Sequence, residues 1–192
     1  MAQTPAGQWI VVDDRRWWFE SGALALDFAY TGGFGDGAAP IDDTAALTNW
    51  IVERFPAVTD AASDRDLKDA LALRASLARA ATAVGHDEMP AAEDVDVINL
   101  FAATPDIPPA LAGGSRQAGR SRAHTGQALA AMAREAVRLF APENAERIRE
   151  CAAEDCALLF FDESRSNNRR WCSMQRCGNR AKVRAHRQRE SV

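Results

Sequence analysis

The chain has 192 residues, 47% of them hydrophobic, and a formal net charge of −4. That length allows one or two domains, and that apolar content excludes disorder throughout. Arginines such as Arg74, Arg79 and Arg134 cut the alanine-rich stretches. No apolar run therefore approaches the roughly 18 to 20 residues of a membrane span. Met1 to Val12 lacks the basic start and apolar core of a signal peptide, so a cytoplasmic location is expected.

Trp17-Trp18-Phe19 followed by Ser21-Gly22 predicts a strand entering a turn. Leu24, Leu26 and Phe28 then alternate with Ala25, Asp27 and Ala29, which predicts a strand with one buried face. Gly32 to Gly37 is glycine-rich but lacks the Gly-Lys-Ser/Thr ending of a phosphate-binding loop. Asp42 or Asp43 caps a predicted helix carrying Leu47, Trp50, Ile51 and Phe55, stopped by Pro56. Ser63 and Asp66 form an acidic capping box for a helix presenting Leu67, Leu71, Leu77 or Ala78, Ala81 and Val84, and ending at Gly85. Pro90 is placed in the first turn of another helix, with Val95, Ile98 and Phe101 inward. Residues 112–126 read as an exposed loop, and a further helix is predicted from Thr125 to Phe140. Pro142 opens a short predicted helix over Glu143 to Glu150. The expected class is α+β: a mostly helical domain over 1–141 with a small β element, then a small module over 142–192. No nucleophile–base pair stands out in the front part, so no enzyme is expected there. Asp27, placed between apolar residues, is a candidate ligand contact.

The four cysteines all lie in the last quarter, as Cys151-x4-Cys156-x15-Cys172-x4-Cys177. Two short pairs joined by a hairpin-length insert are what a tetrahedral metal site needs. Four thiolates fill it, which makes it structural, and zinc is the usual ion. Two disulfides or a redox pair would use the same residues, but disulfides belong to oxidising compartments and redox pairs more often read C-x-x-C. Ala157 to Phe161 and Arg169 to Trp171 are expected to pair as a hairpin inside the insert. Gly178 is expected at positive φ, and Asn179 is expected to cap a helix over Arg180 to Glu190. Two turns, a hairpin and a helix starting at the last ligand make a treble-clef or zinc-ribbon arrangement. Some 40 residues cannot fold without such a metal.

Charge is divided unevenly. Residues 147–192 hold 11 basic and 6 acidic residues, whereas residues 1–146 hold 12 and 21. Arg180, Arg184 and Arg187 follow one face of the last helix, and Lys182, His186 and Arg189 another. Such a surface suits phosphates. The plainer readings are a solvated helix with cations near its C-terminus, or docking onto the acidic front domain.

Arg170-Trp171-Cys172-Ser173-Met174 and Cys177-Gly178-Asn179-Arg180-Ala181-Lys182 resemble the CGNR zinc-finger family of bacteria. The resemblance runs from Arg147 to about Arg187. It implies a DNA-binding finger with one structural zinc on Cys151, Cys156, Cys172 and Cys177. The front resembles the ABATE domain, with Gly22 to Phe28 matching its opening strand. Together they imply a stress-induced transcription regulator. The family commonly has Asn-Thr where this chain has Tyr30-Thr31, a departure that puts any ligand contact of that asparagine in question here; Asp27 and Tyr30 are the candidate contacts for a small-molecule effector. The residues expected to touch nucleic acid, with duplex DNA foremost, are Arg169, Arg170, Arg176, Arg180, Lys182, Arg184 and Arg187. Arg180 and Arg184 are the candidates for base contacts. A homodimer on paired half-sites is the expected assembly. RNA binding, an enzymatic front domain and a protein-interaction module are the rival readings.

Overall fold

The computed structural model describes residues 7–12, 15–32, 41–107 and 123–190. Most of the glycine-rich segment after Gly32, and most of the 112–126 loop, lie outside them. Strands β1 (Gln8–Val12) and β2 (Arg15–Phe19) form an antiparallel ribbon, pairing Gln8 with Phe19 and Val12 with Arg15. The chain leaves this ribbon through Gly22, whose φ is +82°. A Cβ there would stand 2.3 Å from the carbonyl oxygen of Phe161, so conformation and space both require glycine.

Helix α1 (Leu24–Tyr30) replaces the strand predicted over the same residues, including the stretch likened to the ABATE opening strand. Alternation signals a strand only when one face meets water. Ala25 to Tyr30 are all buried, so their apolar pattern carries no usable period. Ala23 offers no capping side chain. Instead Glu135 reaches across, and its Oε2 accepts from the Ala25 N–H at 2.6 Å. A carboxylate there complements the positive end of the helix.

The other front helices lie close to their predicted places. Helix α2 (Thr44–Arg54) is capped by Asp43, whose carboxylate accepts from Ala46 N–H at 2.7 Å, and it buries Leu47 and Ile51. Helix α3 (Asp64–Gly85) has the predicted Ser63–Asp66 capping box. Its buried stripe runs through Ala70, Leu73, Leu77, Ala80, Ala81 and Val84, with Leu67 and Leu71 half-buried at the margin. Helix α4 (Ala92–Ala102) starts after Ala91, so Pro90 stands before the helix and not in its first turn. Arg79 of α3 grips the buried Asp94 of α4 through Nε and Nη2. Helix α5 (Thr125–Leu139) packs its alanine-rich face, including Ala128, Ala133 and Ala136, against α1, α3 and α4.

Helix α6 is only one turn, Pro142–Ala145. The predicted helix over Glu143 to Glu150 gives way to β3 (Ile148–Glu150), which pairs with β4 (Leu159–Phe161), Ile148 opposite Phe161 and Glu150 opposite Leu159. The hairpin therefore brackets the first cysteine pair, and Arg169 to Trp171 form no strand. The reason is apolar supply: Ile148, Leu159 and Phe160 are all buried, whereas the segment Arg169-Arg170 offers β4 a guanidinium laid over Phe160 and no aliphatic side chain. Leu158, Leu159, Phe160, Cys172 and Cys177 share one apolar cluster with Phe19, Phe28 and Tyr30 of the front. No helix among the described residues is long and apolar enough to cross a membrane.

Candidate metal centre and its basic helix

The β3–β4 hairpin closes on a tight turn that carries the first cysteine pair. Cys151 N–H donates to Leu158 O at 2.9 Å, and Cys156 N–H donates to Ala153 O at 3.0 Å. The second pair arrives through a polar turn organised by Asp162. Its carboxylate accepts from Ser164 N–H at 2.9 Å and from Arg169 N–H at 2.8 Å. Burial pushes the Asp162 carboxyl up, but these hydrogen bonds prevail and hold it below its usual value. Ala152 N–H then bonds Arg170 O at 2.9 Å, and Cys172 N–H points at Cys151 Sγ at 3.4 Å. The last cysteine sits in a π turn, Met174–Gly178, which runs directly into α7 (Asn179–Glu190).

Two local expectations need correction. Ser173, not Asn179, caps this region, its Oγ accepting from Arg176 N–H at 3.4 Å. Asn179 is already helical and donates from Nδ2 to Gln175 O at 3.3 Å. Gly178 is not at positive φ; Gly22 alone is, among the described glycines. Gly178 is small because Met174 Sδ and Trp171 Cδ1 would lie 2.8 and 3.4 Å from its Cβ.

The four Sγ atoms all lie within 4.8 Å of one another, and none forms a disulfide. Cys156–Cys172 and Cys172–Cys177 are both 3.6 Å apart. Four sulfurs about 2.3 Å from a tetrahedral zinc would be about 3.8 Å apart, so the arrangement fits one ion. Cys151, Cys172 and Cys177 are buried and Cys156 is half-buried, which closes the site to substrate. The sulfurs also strain one another electrically. Hydrogen bonds from Cys156 and Cys172 pull the Cys151 thiol far down, while sharing with Cys151 pushes Cys156 and Cys172 up. A dication lets all four ionise together.

Arg180, the arginine of the Cys-Gly-Asn-Arg stretch, closes the frame. Its Nη2 donates to Cys177 Sγ at 3.2 Å and its Nη1 to Asp155 Oδ2 at 2.8 Å. Arg184 reaches the same carboxylate at 3.3 Å and Glu154 at 4.0 Å. These two arginines thus face acidic groups of the cysteine turn itself. Arg169 is half-buried. It lies over the Phe160 ring at 4.3 Å and donates to the carbonyls of Glu20, Trp171 and Cys172. Arg176 lies over Trp17 at 4.9 Å. Arg170, Lys182, Arg184, Arg187 and Arg189 are exposed.

Residues 147–190 match the CGNR zinc finger family, and residues 22–143 match ABATE, described as "Putative stress-induced transcription regulator". The chain belongs to the ABATE family. Its tail is a CGNR zinc finger carrying a four-cysteine site for one zinc ion. No curated protein matches the chain.

In the ABATE region, Asp27 and Tyr30 are both buried on α1. Tyr30 OH donates to Leu159 O and accepts from Leu159 N–H, both at 2.7 Å, so it joins the ABATE region to β4. Asp27 Oδ1 lies 2.7 Å from Ser21 Oγ, which itself donates to Ala23 O at 2.7 Å. The Ser21 hydroxyl also accepts from Ala23 N–H at 3.3 Å, and its hydrogen bond to Asp27 favours the charged carboxylate, but burial outweighs it. Burial accordingly raises the Asp27 carboxyl to about 7. Sequence reasoning missed Glu135 and Asp155, whose partners lie 110 and 25 residues away, and Asp162, which reads as an ordinary turn residue although its partners are close by.

Proposed function

We propose that this chain is a cytoplasmic bacterial transcription regulator, not an enzyme, that binds duplex DNA through residues 142–192. Residues 1–141 would sense a small molecule or mediate dimerisation. The observation that carries the reading is the cation-rich helix launched from the last zinc ligand. From Arg165 to Glu190 there are nine basic residues and one acidic. Lys182, Arg184, Arg187 and Arg189 are exposed on α7, and exposed Arg170 precedes the third cysteine. A 12-residue helix is about 18 Å long and of a width that a major groove admits. Arg169 and Arg180 have a different part, since their guanidinium groups hold the frame. Arg184 can exchange the exposed Asp155 for a phosphate. Candidate effector contacts are Asp27 and Tyr30, which an effector would reach only through movement around α1.

The test is a titration of labelled duplex DNA by zinc-loaded protein and by a Lys182→Ala/Arg187→Ala variant. Losing two phosphate contacts should lower affinity on every sequence and reduce the log–log salt slope by about 2. An unchanged slope would remove α7 from the interface. Competition by single-stranded RNA that outmatches duplex DNA would move the reading to RNA.

A further inference from the structure

A cleft of about 690 Å³ lies beside the metal centre, between Trp18 of β2 with the following Glu20 and the segment from Asn168 to Gln175, which carries the ligand Cys172. Neither zinc binding nor groove insertion by α7 uses it. Trp18 is 41% exposed, and Trp9, 52% exposed, meets it edge-on at 5.5 Å. On the other wall the Arg170 guanidinium is 5.2 Å from the Trp171 ring. Asn168 and Gln175 add amide groups at the rim. The half-exposed Trp18 indole, backed edge-on by Trp9 and facing Arg169 and Arg170 with Glu20 as the one acidic lining residue, gives the cleft a combination of π face, cations and amides. An acidic peptide would use the cations and leave the indoles wet. A nucleobase with its phosphate uses all three, and the volume falls within the roughly 300–1,000 Å³ of small-ligand sites.

We propose that this cleft takes one unpaired nucleotide of the bound nucleic acid, its base stacked on Trp18 and its phosphate on Arg170. The proposal rests on the nucleic-acid reading above and extends the interface from the zinc finger to the β1–β2 ribbon. Duplex DNA with a gap or an easily unstacked step should then be preferred over fully paired DNA.

Anisotropy titrations with a plain duplex and with the same duplex carrying a three-nucleotide gap test it. One base stacked on an indole should make the gapped DNA bind about tenfold tighter. Trp18→Ala should abolish that preference and leave plain-duplex affinity unchanged, while Trp18→Phe should keep part of it. Lys182→Ala/Arg187→Ala should weaken both DNAs alike. Equal binding of both DNAs by the native protein overturns the proposal, and so does an equal loss on both with Trp18→Ala. If only the gapped DNA binds, and does so through Trp18, the cleft stands and the duplex reading falls. Binding of neither removes both.

Discussion

At Arg180 a single guanidinium touches both a zinc-ligand sulfur and the carboxylate of Asp155. A donor to a thiolate lowers the charge the metal must balance and fixes the sulfur's position. Arg180→Ala should weaken zinc binding by about 10- to 100-fold in competition with a chromogenic chelator. Arg184→Ala, which removes an exposed side chain, should leave zinc affinity unchanged. Tyr30→Phe keeps the ring but strips both hydrogen bonds from the buried Leu159 backbone. It should cost about 1–3 kcal/mol in urea denaturation. Asp27 makes a pH prediction. Its folded-state pKa is about 7 against an ordinary value of 3.8, so the native state holds a proton that the unfolded chain releases. That stabilisation is complete below about pH 4 and is lost as pH rises through about 7, by up to about 1.4 kcal/mol per pH unit. Asp27→Asn should gain stability over the native protein as pH rises from 5 to 8, read as the difference in urea midpoints. The cysteines were plain in the sequence because ligand spacing is local. The Arg180–Asp155 and Tyr30–Leu159 contacts were not, since they span 25 and 129 residues.

Elements were readable where the chain offers one wet face and one dry face. Helices α3 and α5 have that contrast, and their predicted limits fall within a residue or two of the observed ones. Helix α1 lacks it, because every residue from Ala25 to Tyr30 is buried and helix or strand would serve the pattern equally. The zinc hairpin failed for another reason. Strand β4 has a segment on either side within hairpin reach, and the buried Ile148 of β3 decides the pairing over Arg169-Arg170. The metal's influence should be confined to the elements that carry or adjoin its ligands. Cys156→Ser should speed amide exchange in β3, β4 and α7 while the α3 and α5 amides keep their protection. Uniform loss of protection would mean that the zinc supports the whole core.

The acidic front and the basic tail share one apolar cluster, in which Phe19, Tyr30, Leu159 and Cys172 all take part. A change around α1 can therefore reach the zinc frame through Tyr30 and β4 without crossing a linker. The contacts that make the cluster contiguous join residues far apart in the sequence, across the shift of composition and charge near residue 141. In the proposed function, one zinc ion holds a cation-bearing helix in position to bind duplex DNA. The most direct test is the salt dependence of that binding, measured with zinc-loaded protein and again after chelation. About five phosphate contacts predict a log–log slope of roughly −4 to −5 for the loaded protein and its loss without the metal. A flat salt response, or a slope untouched by removing zinc, would contradict it.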